Sequence, residues 1–270
     1  MADGRAVIAM SDRDGAATAA VPDEPPPQRS DAGVVRMTER DINGLVWVGE
    51  MYGVPYDLLA SLLAVNPGRL RAILTRWRRA GYAGTSRLGL GPGWAWLTKA
   101  GMAATGLPYT AGTPSLGRLR HIRAVAAVRL SLEHGTAYRS AGAYWRSERR
   151  IRARLGGRVG VRAHVPDAEV HWPAAAAAYG GELWGIEVEL TAKALPRTVA
   201  IMREMLARTG DFQPGEAPPA ELAGLARYTR LVYLASPQAR PTVERAAGSL
   251  PGPLRSRVVV RDLPDRAVLP

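Results

Sequence analysis

The sequence contains no cysteine, only one phenylalanine, and no apolar run approaching the ~20 residues that a membrane-spanning helix needs. Without cysteine there is no disulfide framework, no Cys-based zinc site and no thiol nucleophile. No GxxxxGK[ST] motif is present, so neither nucleotide hydrolysis nor a nucleotide cofactor is expected. The N-terminus also lacks the basic and apolar regions of a secretory signal. We therefore expect a cytoplasmic protein with no membrane partner.

Positive charge dominates what is present. Lys and Arg number 36 against 24 Asp and Glu, so the formal net charge is +12. Such a balance indicates a polyanionic partner, with nucleic acid first and an acidic membrane surface second. No isolated segment combines a basic face with an exposed apolar face, which argues against the membrane surface.

Composition and periodicity divide the chain into three parts. Residues 1–34 are rich in Ala, Gly, Asp and Pro without apolar periodicity, which predicts a disordered tail. Residues 35–110 predict three helices followed by a two-stranded hairpin, the element order of a winged helix-turn-helix. Residues 114–265 predict helices and strands in the order α-β-β-β-α-β-α-β, and the first of these strands is 136–145. This order indicates one mixed sheet flanked by helices, so the expected fold class is α/β.

The predicted third helix is rich in arginine opposite its apolar face. The third helix of a winged helix-turn-helix enters the major groove and the hairpin contacts the flanking backbone, so these side chains are candidate contacts to double-stranded DNA. The alternative is a three-helix bundle whose arginines only solvate its surface. The candidate DNA-binding residues are Arg69, Arg71, Arg76, Arg78, Arg79 and, in the hairpin, Arg87.

Two predicted strands carry regularly spaced carboxylates. Glu187 and Glu189 alternate with apolar residues along 183–193, and this period of two is typical of a β-strand. Asp167 occupies a polar position in the preceding strand, 165–172. Carboxylates converging from two strands could hold Mg²⁺ or Mn²⁺, because hard cations prefer oxygen ligands. The alternative is a solvent-facing strand whose charges have no function.

The acids and their order along the chain resemble the PD-(D/E)xK nuclease superfamily, whose core is αβββαβ. Pro166-Asp167, Glu187-Val188-Glu189 and Lys193 carry this likeness. The resemblance implies that Asp167, Glu187 and Glu189 bind the metal, and that Lys193 supplies the positive charge usually provided by a lysine at the position of Glu189.

The chain from about Arg36 to Leu263 also resembles the plasmid replication-relaxation family. His121, the W-x-x-E segment from Trp145 to Glu148, the PD pair and the EVEL strand carry that likeness. It implies a relaxase-like role in plasmid replication or mobilisation, on an origin-like DNA site, with Glu148 as an additional outer acid.

Two functional hypotheses follow. In the first, the protein is a metal-dependent DNA nickase or nuclease with Asp167, Glu187, Glu189, Lys193 and Glu148 as catalytic residues. In the second, it is a sequence-specific DNA-binding protein whose nuclease-like half serves for dimerisation, which would give a homodimer, or for protein contact. Convergence of the acids with Lys193 beside them would favour the first hypothesis.

Overall fold

The structure, a computed structural model, describes residues 36–89, 91–155, 164–207 and 228–265. The predicted disordered tail, 1–34, lies outside these residues. The described residues all belong to one compact unit, Val35–Pro270. No described helix is both long enough and apolar enough to cross a membrane.

The described chain is an α/β protein with a small and a large sheet. Its helices are α1 (Glu39–Glu50), α2 (Tyr56–Leu62), α3 (Pro67–Arg79), α4 (Lys99–Ala104), α5 (Leu119–His134), α6 (Thr136–Ala141), α7 (Glu148–Leu155), α8 (Leu195–Ala207), α9 (Arg240–Gly248) and α10 (Gly252–Arg255), with a short 3-10 turn (Leu116–Arg118) before α5. Its strands are β1 (Val54–Pro55), β2 (Ala83–Ser86), β3 (Trp94–Leu97), β4 (Tyr144–Ser147), β5 (Ala168–His171), β6 (Leu183–Glu189), β7 (Arg230–Ala235) and β8 (Val258–Asp262).

Local sequence signals explain where the first helices begin. The Thr38 side chain accepts a hydrogen bond from the backbone N–H of Asp41, and the Asp41 carboxylate accepts one from the N–H of Thr38. This reciprocal capping box satisfies two N–H groups that an isolated helix end would leave unpaired. Asn66 caps α3 in a similar way, with proline in the first turn. Both helices therefore begin directly after a capping residue that the sequence supplies.

The small sheet has the antiparallel order β1-β3-β2. Strands β2 and β3 follow α3, as the predicted hairpin required, with Ala83 opposite Leu97 and Ser86 opposite Trp94. Leu90, in the turn between them, lies outside the described residues. The order α1-α2-α3-β2-β3 thus matches the element order expected from the sequence.

The large sheet has the order β4-β5-β6-β7-β8. Its first three strands pair antiparallel and its last three pair parallel, so the sheet is mixed. Side chains of β7 alternate between two hydrophobic clusters. Val232 packs in one cluster with buried residues of α5. Its neighbours Leu231 and Tyr233 pack in the other with residues of α8. Helices therefore cover both faces, and most side chains of β5, β6 and β7 are buried.

One predicted element is wrong in its first half. The segment 136–145 was expected to be a strand, but residues 136–141 form α6 and only the following residues form β4. Gly142 ends the helix in the left-handed region, with φ 66°, which glycine adopts without steric cost. Tyr138 of α6 is buried edge-on against Trp172, with 6.1 Å between the ring centroids. This tertiary contact stabilises a helical turn that apolar alternation alone could not predict.

Candidate functional site

Strand register aligns four polar residues across the large sheet. Ala168 pairs with Ile186, which places Asp167 opposite Glu187, one step beyond the last bridge. Glu187 pairs in turn with Tyr233 on β7. On the other side, the N–H of Glu148 donates to the carbonyl of Asp167 at 3.0 Å. Opposite residues of neighbouring strands point to the same side of a sheet, so Glu187 and Tyr233 share one face, and Asp167 lies next to Glu187 just before β5 begins.

The acidic face of β6 is buried. Glu187 is 4% exposed and Glu189 is 6% exposed, because α8 covers their side of the sheet. The alternative of a solvent-facing strand is therefore wrong. A buried carboxylate is costly unless it is paired or hydrogen-bonded, so the partners of these acids determine what the site can do.

Both oxygens of Asp167 are held. Oδ1 lies 2.8 Å from Nε2 of His121 on α5, and Oδ2 accepts a hydrogen bond of 2.8 Å from the backbone N–H of Val188. Burial opposes the charged imidazole, but the hydrogen bond and charge of Asp167 raise the pKa of His121. The carboxylate of Asp167 is thus fixed in position beside β6.

The surroundings of Glu187 disfavour its charged form. Burial raises its pKa, and the negative charge of Asp167 adds to the effect, although a hydrogen bond with His164 opposes both. Its Oε1 lies 2.7 Å from Nε2 of His164. Sequence analysis did not identify His164, because it lies outside any periodic element and approaches Glu187 only through the fold.

Lys193 lies beside the acids, as the sequence predicted. Its Nζ donates to Oε2 of Glu189 at 2.5 Å, and its positive charge also acts on Glu187. The lysine is attached to the chain after β6 has ended, yet its side chain reaches back to the strand. The structure therefore places Glu187, Glu189 and Lys193 on one side of the sheet, with Asp167 next to Glu187 at the end of the neighbouring strand.

Tyr233 is a site residue that sequence analysis missed. It is 2% exposed, and no described residue forms a hydrogen bond with its hydroxyl. Burial, followed by the charges of Glu187, Glu189 and Asp167, raises the pKa of Tyr233 well above its usual value. A buried hydroxyl without a partner is uncommon, and here it lies next to the site acids. Only the pairing of β6 with β7 could have indicated it.

Glu148, Asp167 and Glu187 lie next to one another across the sheet and form an acid row. Its end member, Glu148, binds two arginines. It accepts hydrogen bonds from Arg118 at 3.1 Å and from Arg152 at 2.8 Å. Both guanidinium groups are about half exposed, with side-chain exposures of 46% and 56%. Glu148 therefore lies beside Asp167 and binds two guanidinium groups, and its role as an outer acid stays a prediction.

Glu169 is another buried acid on the sheet, and its contacts stabilise the fold. It is fully buried, and its carboxylate contacts Arg146 at 2.8 Å, His171 at 3.1 Å and the hydroxyl of Tyr228 at 3.0 Å. Burial opposes ionisation, but these contacts outweigh it and lower the pKa of Glu169. The carboxylate is thus saturated by its partners and is not a candidate for catalysis.

The candidate DNA-binding arginines are not equivalent. Leu70, Ile73, Leu74 and Trp77 are buried on one side of α3. Arg76, however, is ion-paired with the buried Asp41, and its side chain is only 28% exposed. Its position indicates a structural contact between α1 and α3. The exposed candidates are Arg69, Arg71, Arg78, Arg79 and Arg87.

The metal prediction can be compared with the donor set. Among residues 36–89, 91–155, 164–207 and 228–265, no group of three or more His, Asp or Glu side chains is arranged to hold one metal ion. Glu189 is bonded to Lys193, and the set of Asp167, Glu187 and Glu189 as metal ligands stays a prediction. Asp167 and Glu187 alone still fit Mg²⁺, which is commonly bound by one or two carboxylates together with waters and substrate phosphates.

Comparisons with known proteins give no relative to guide the assignment. No family model matches the chain, and neither a curated protein nor a solved structure matches it. The functional conclusion therefore depends on the geometry of the site.

Proposed function

We propose that the protein is a DNA-binding endonuclease that nicks or cleaves duplex DNA in plasmid replication or mobilisation. In this proposal residues 35–110 are a winged helix-turn-helix and residues 114–265 are a PD-(D/E)xK nuclease-like domain, as in the plasmid replication-relaxation family. The observation that carries the proposal is the position of Asp167 opposite Glu187 on neighbouring strands, with the ion pair of Lys193 and Glu189 beside them.

The N-terminal elements support binding to DNA. Helix α3 has one buried apolar side and several exposed arginines, and the β2–β3 hairpin follows it directly. Arginine on an exposed helix can contact both phosphates and guanine edges in the major groove. Because the net charge is +12, attraction to the phosphate backbone would add affinity that does not depend on sequence.

The large sheet supports hydrolysis of a phosphodiester. Asp167 and Glu187 would hold Mg²⁺ or Mn²⁺, which supplies charge neutralisation of the phosphate and activation of a water when bound. Lys193 would place a positive charge near the phosphate in the transition state. The backbone N–H of Val188 and His121 fix the Asp167 carboxylate, and His164 fixes that of Glu187. Residues held in this way need little rearrangement when substrate binds.

A second candidate function is supported by the same contacts. Each acid already has a cationic or potentially cationic neighbour: His121 for Asp167, His164 for Glu187 and Lys193 for Glu189. Such pairing would stabilise the site without a metal. This favours the alternative of a non-catalytic, sequence-specific DNA-binding protein, with dimerisation or protein contact as the role of its second half.

Glu187→Gln distinguishes the two functions. If Asp167 and Glu187 hold the metal, removing one of two carboxylates should abolish divalent-metal binding in calorimetry and nicking of supercoiled plasmid, while leaving duplex binding unchanged. Glu182→Gln is the matched control, because Glu182 is bonded to Arg230 just before β6 begins.

The enzyme proposal fails if wild-type protein binds neither Mg²⁺ nor Mn²⁺ and leaves supercoiled DNA intact across a metal series. Retained duplex binding in that case would establish the non-catalytic alternative.

A further inference from the structure

A cleft of about 520 Å³ lies next to the acid row. Tyr52, Tyr109, Arg118, Arg149 and Arg152 supply its aromatic and charged walls, and threonine and serine hydroxyls add polar groups. Its volume falls within the ~300–1,000 Å³ range of small-ligand sites. Arginines, aromatic rings and hydroxyls together match the phosphate, base and sugar of a nucleotide.

Arg149 is buried and forms no direct ion pair with a carboxylate of the described residues. The residue is 8% exposed, and it donates hydrogen bonds of 2.6 Å to the carbonyl oxygens of Gly49 and Thr110. Burial disfavours the charge of Arg149, and the carboxylates of Glu148 and Glu50 oppose this only from beyond ion-pair distance, so an anion bound in this cleft would offset the cost of the buried cation.

The aromatic walls are held around Arg149. Its guanidinium lies 4.6 Å from the ring centroid of Tyr52 and 4.6 Å from that of Tyr109. Tyr52 also adopts φ 64°, the left-handed region that non-glycine residues seldom occupy. Backbone in such a conformation persists where surrounding structure enforces it, and it is enriched at ligand sites.

Two further arginines give the cleft a net positive charge. Arg118 and Arg152 both bind Glu148, so one carboxylate faces two guanidinium groups. Both remain about half exposed, so each retains N–H groups that could bind a phosphate. With Arg149, three arginines and no aspartate or glutamate of the described residues line the cleft.

The cleft leads toward Asp167. A narrower cavity of about 20 Å³ shares Tyr52 and Arg118 with it and is also lined by His121, Glu148 and Asp167. That volume is roughly the space of one water molecule. A ligand in the wide cleft would therefore lie one constriction away from the acid that the proposed function assigns to catalysis.

We propose that this cleft binds one nucleotide of a single-stranded DNA segment. Its phosphate lies on Arg118, Arg149 and Arg152, its base lies against Tyr109, and the strand continues toward Asp167. Arg149 is buried between two tyrosine rings, and this recessed position favours one unpaired strand over a duplex. The inference deepens the proposed function, on which it rests, by specifying the unpaired strand that reaches the acid row.

Fluorescence anisotropy with labelled (dT)12 and with a labelled duplex tests the cleft. Arg118→Ala/Arg152→Ala should weaken (dT)12 binding at least about tenfold. It should also reduce the salt slope by about 1.4, since each phosphate contact on a single strand contributes ~0.7. Duplex binding should be unchanged. Arg245→Ala, which removes an exposed arginine of α9, is the matched control and should alter neither. Thermal melts confirm that each variant is folded.

Thymidine monophosphate distinguishes a strand from a free nucleotide. Millimolar competition that displaces (dT)12 from wild-type protein but not from the double variant supports the proposal. Tight binding of the monophosphate without (dT)12 binding would overturn it in favour of a free-nucleotide site. Unchanged (dT)12 affinity and slope in the double variant would also overturn it.

These results are independent of nicking. If wild-type protein cleaves plasmid DNA while the double variant binds (dT)12 normally, only the cleft assignment fails. If (dT)12 binds as described but wild-type protein never cleaves DNA with any metal, the enzyme proposal fails and the cleft remains a single-strand site.

Discussion

Asp41→Asn is expected to destabilise the protein through the contact between α1 and α3. The side chain of Asp41 is 1% exposed. It accepts hydrogen bonds from the N–H and hydroxyl of Thr38, at 2.9 and 2.7 Å. It also accepts one from the indole N–H of Trp77 at 3.0 Å and pairs with Arg76. One carboxylate therefore caps α1 and joins it to α3.

The size of the effect follows from the pKa of Asp41. Burial alone would raise it, but hydrogen bonds, first from Thr38 and then from Arg76 and Trp77, outweigh burial and lower it from 3.8 to about 2. Because the pKa of Asp41 is lower in the folded protein than in the unfolded chain, the ionised carboxylate stabilises the fold at any pH above 3.8. This stability is lost as the pH falls from there toward about 2, the pKa in the folded protein. The difference corresponds to about 2 kcal/mol at neutral pH.

Urea unfolding followed by tryptophan fluorescence measures this contribution. At pH 7, Asp41→Asn should lower the free energy of unfolding by about 2 kcal/mol. The difference from wild type should shrink below about pH 4, where Asp41 begins to protonate in the unfolded chain while it is still ionised in the folded protein. Glu39→Gln, an exposed acid in the same turn of α1, should change stability by about 0.5 kcal/mol at most. A difference from wild type that is equally large at pH 7 and pH 3, or none at pH 7, would refute the reasoning.

Two predictions concern binding and catalysis. Arg71→Ala/Arg78→Ala should weaken duplex binding and reduce the salt slope by about 2. Stability should not change, because both side chains are exposed on α3. Filter binding at several salt concentrations measures the affinity and the slope, and an unchanged slope would exclude α3 as the duplex surface. Lys193→Ala should lower the nicking rate and leave the Mg²⁺ affinity measured by calorimetry unchanged, because the lysine pairs with Glu189 rather than with Asp167. An equal loss of nicking rate and Mg²⁺ affinity would assign Lys193 to the metal site instead.

The elements with local signals were predictable. The helix starts at Thr38 and Asn66, the buried side of α3 and the alternation along β6 all depend on residues a few positions apart. Capping and periodicity act within one element, so the sequence alone was enough. The same alternation correctly grouped Glu187 with Glu189, because neighbours two apart share a face in any strand.

The pairing of the acids and their environment depended on the tertiary structure. Alternation could not show whether the acidic side of β6 faces solvent or α8, and the structure buries it. Arg76 was counted with the exposed arginines because only the packing of α1 on α3 brings Asp41 to it.

The remaining site residues come from distant parts of the chain. His164 and Tyr233 reach Glu187 from outside its own strand, one by a side-chain contact and one by parallel pairing of β6 with β7. The sequence by itself determined which residues carry charge and where the elements with capping or periodic signals lie, because those properties are local, whereas α6 depended on a tertiary contact. Sheet register and helix packing decided which charges are buried and which meet, because they bring together residues far apart in the chain.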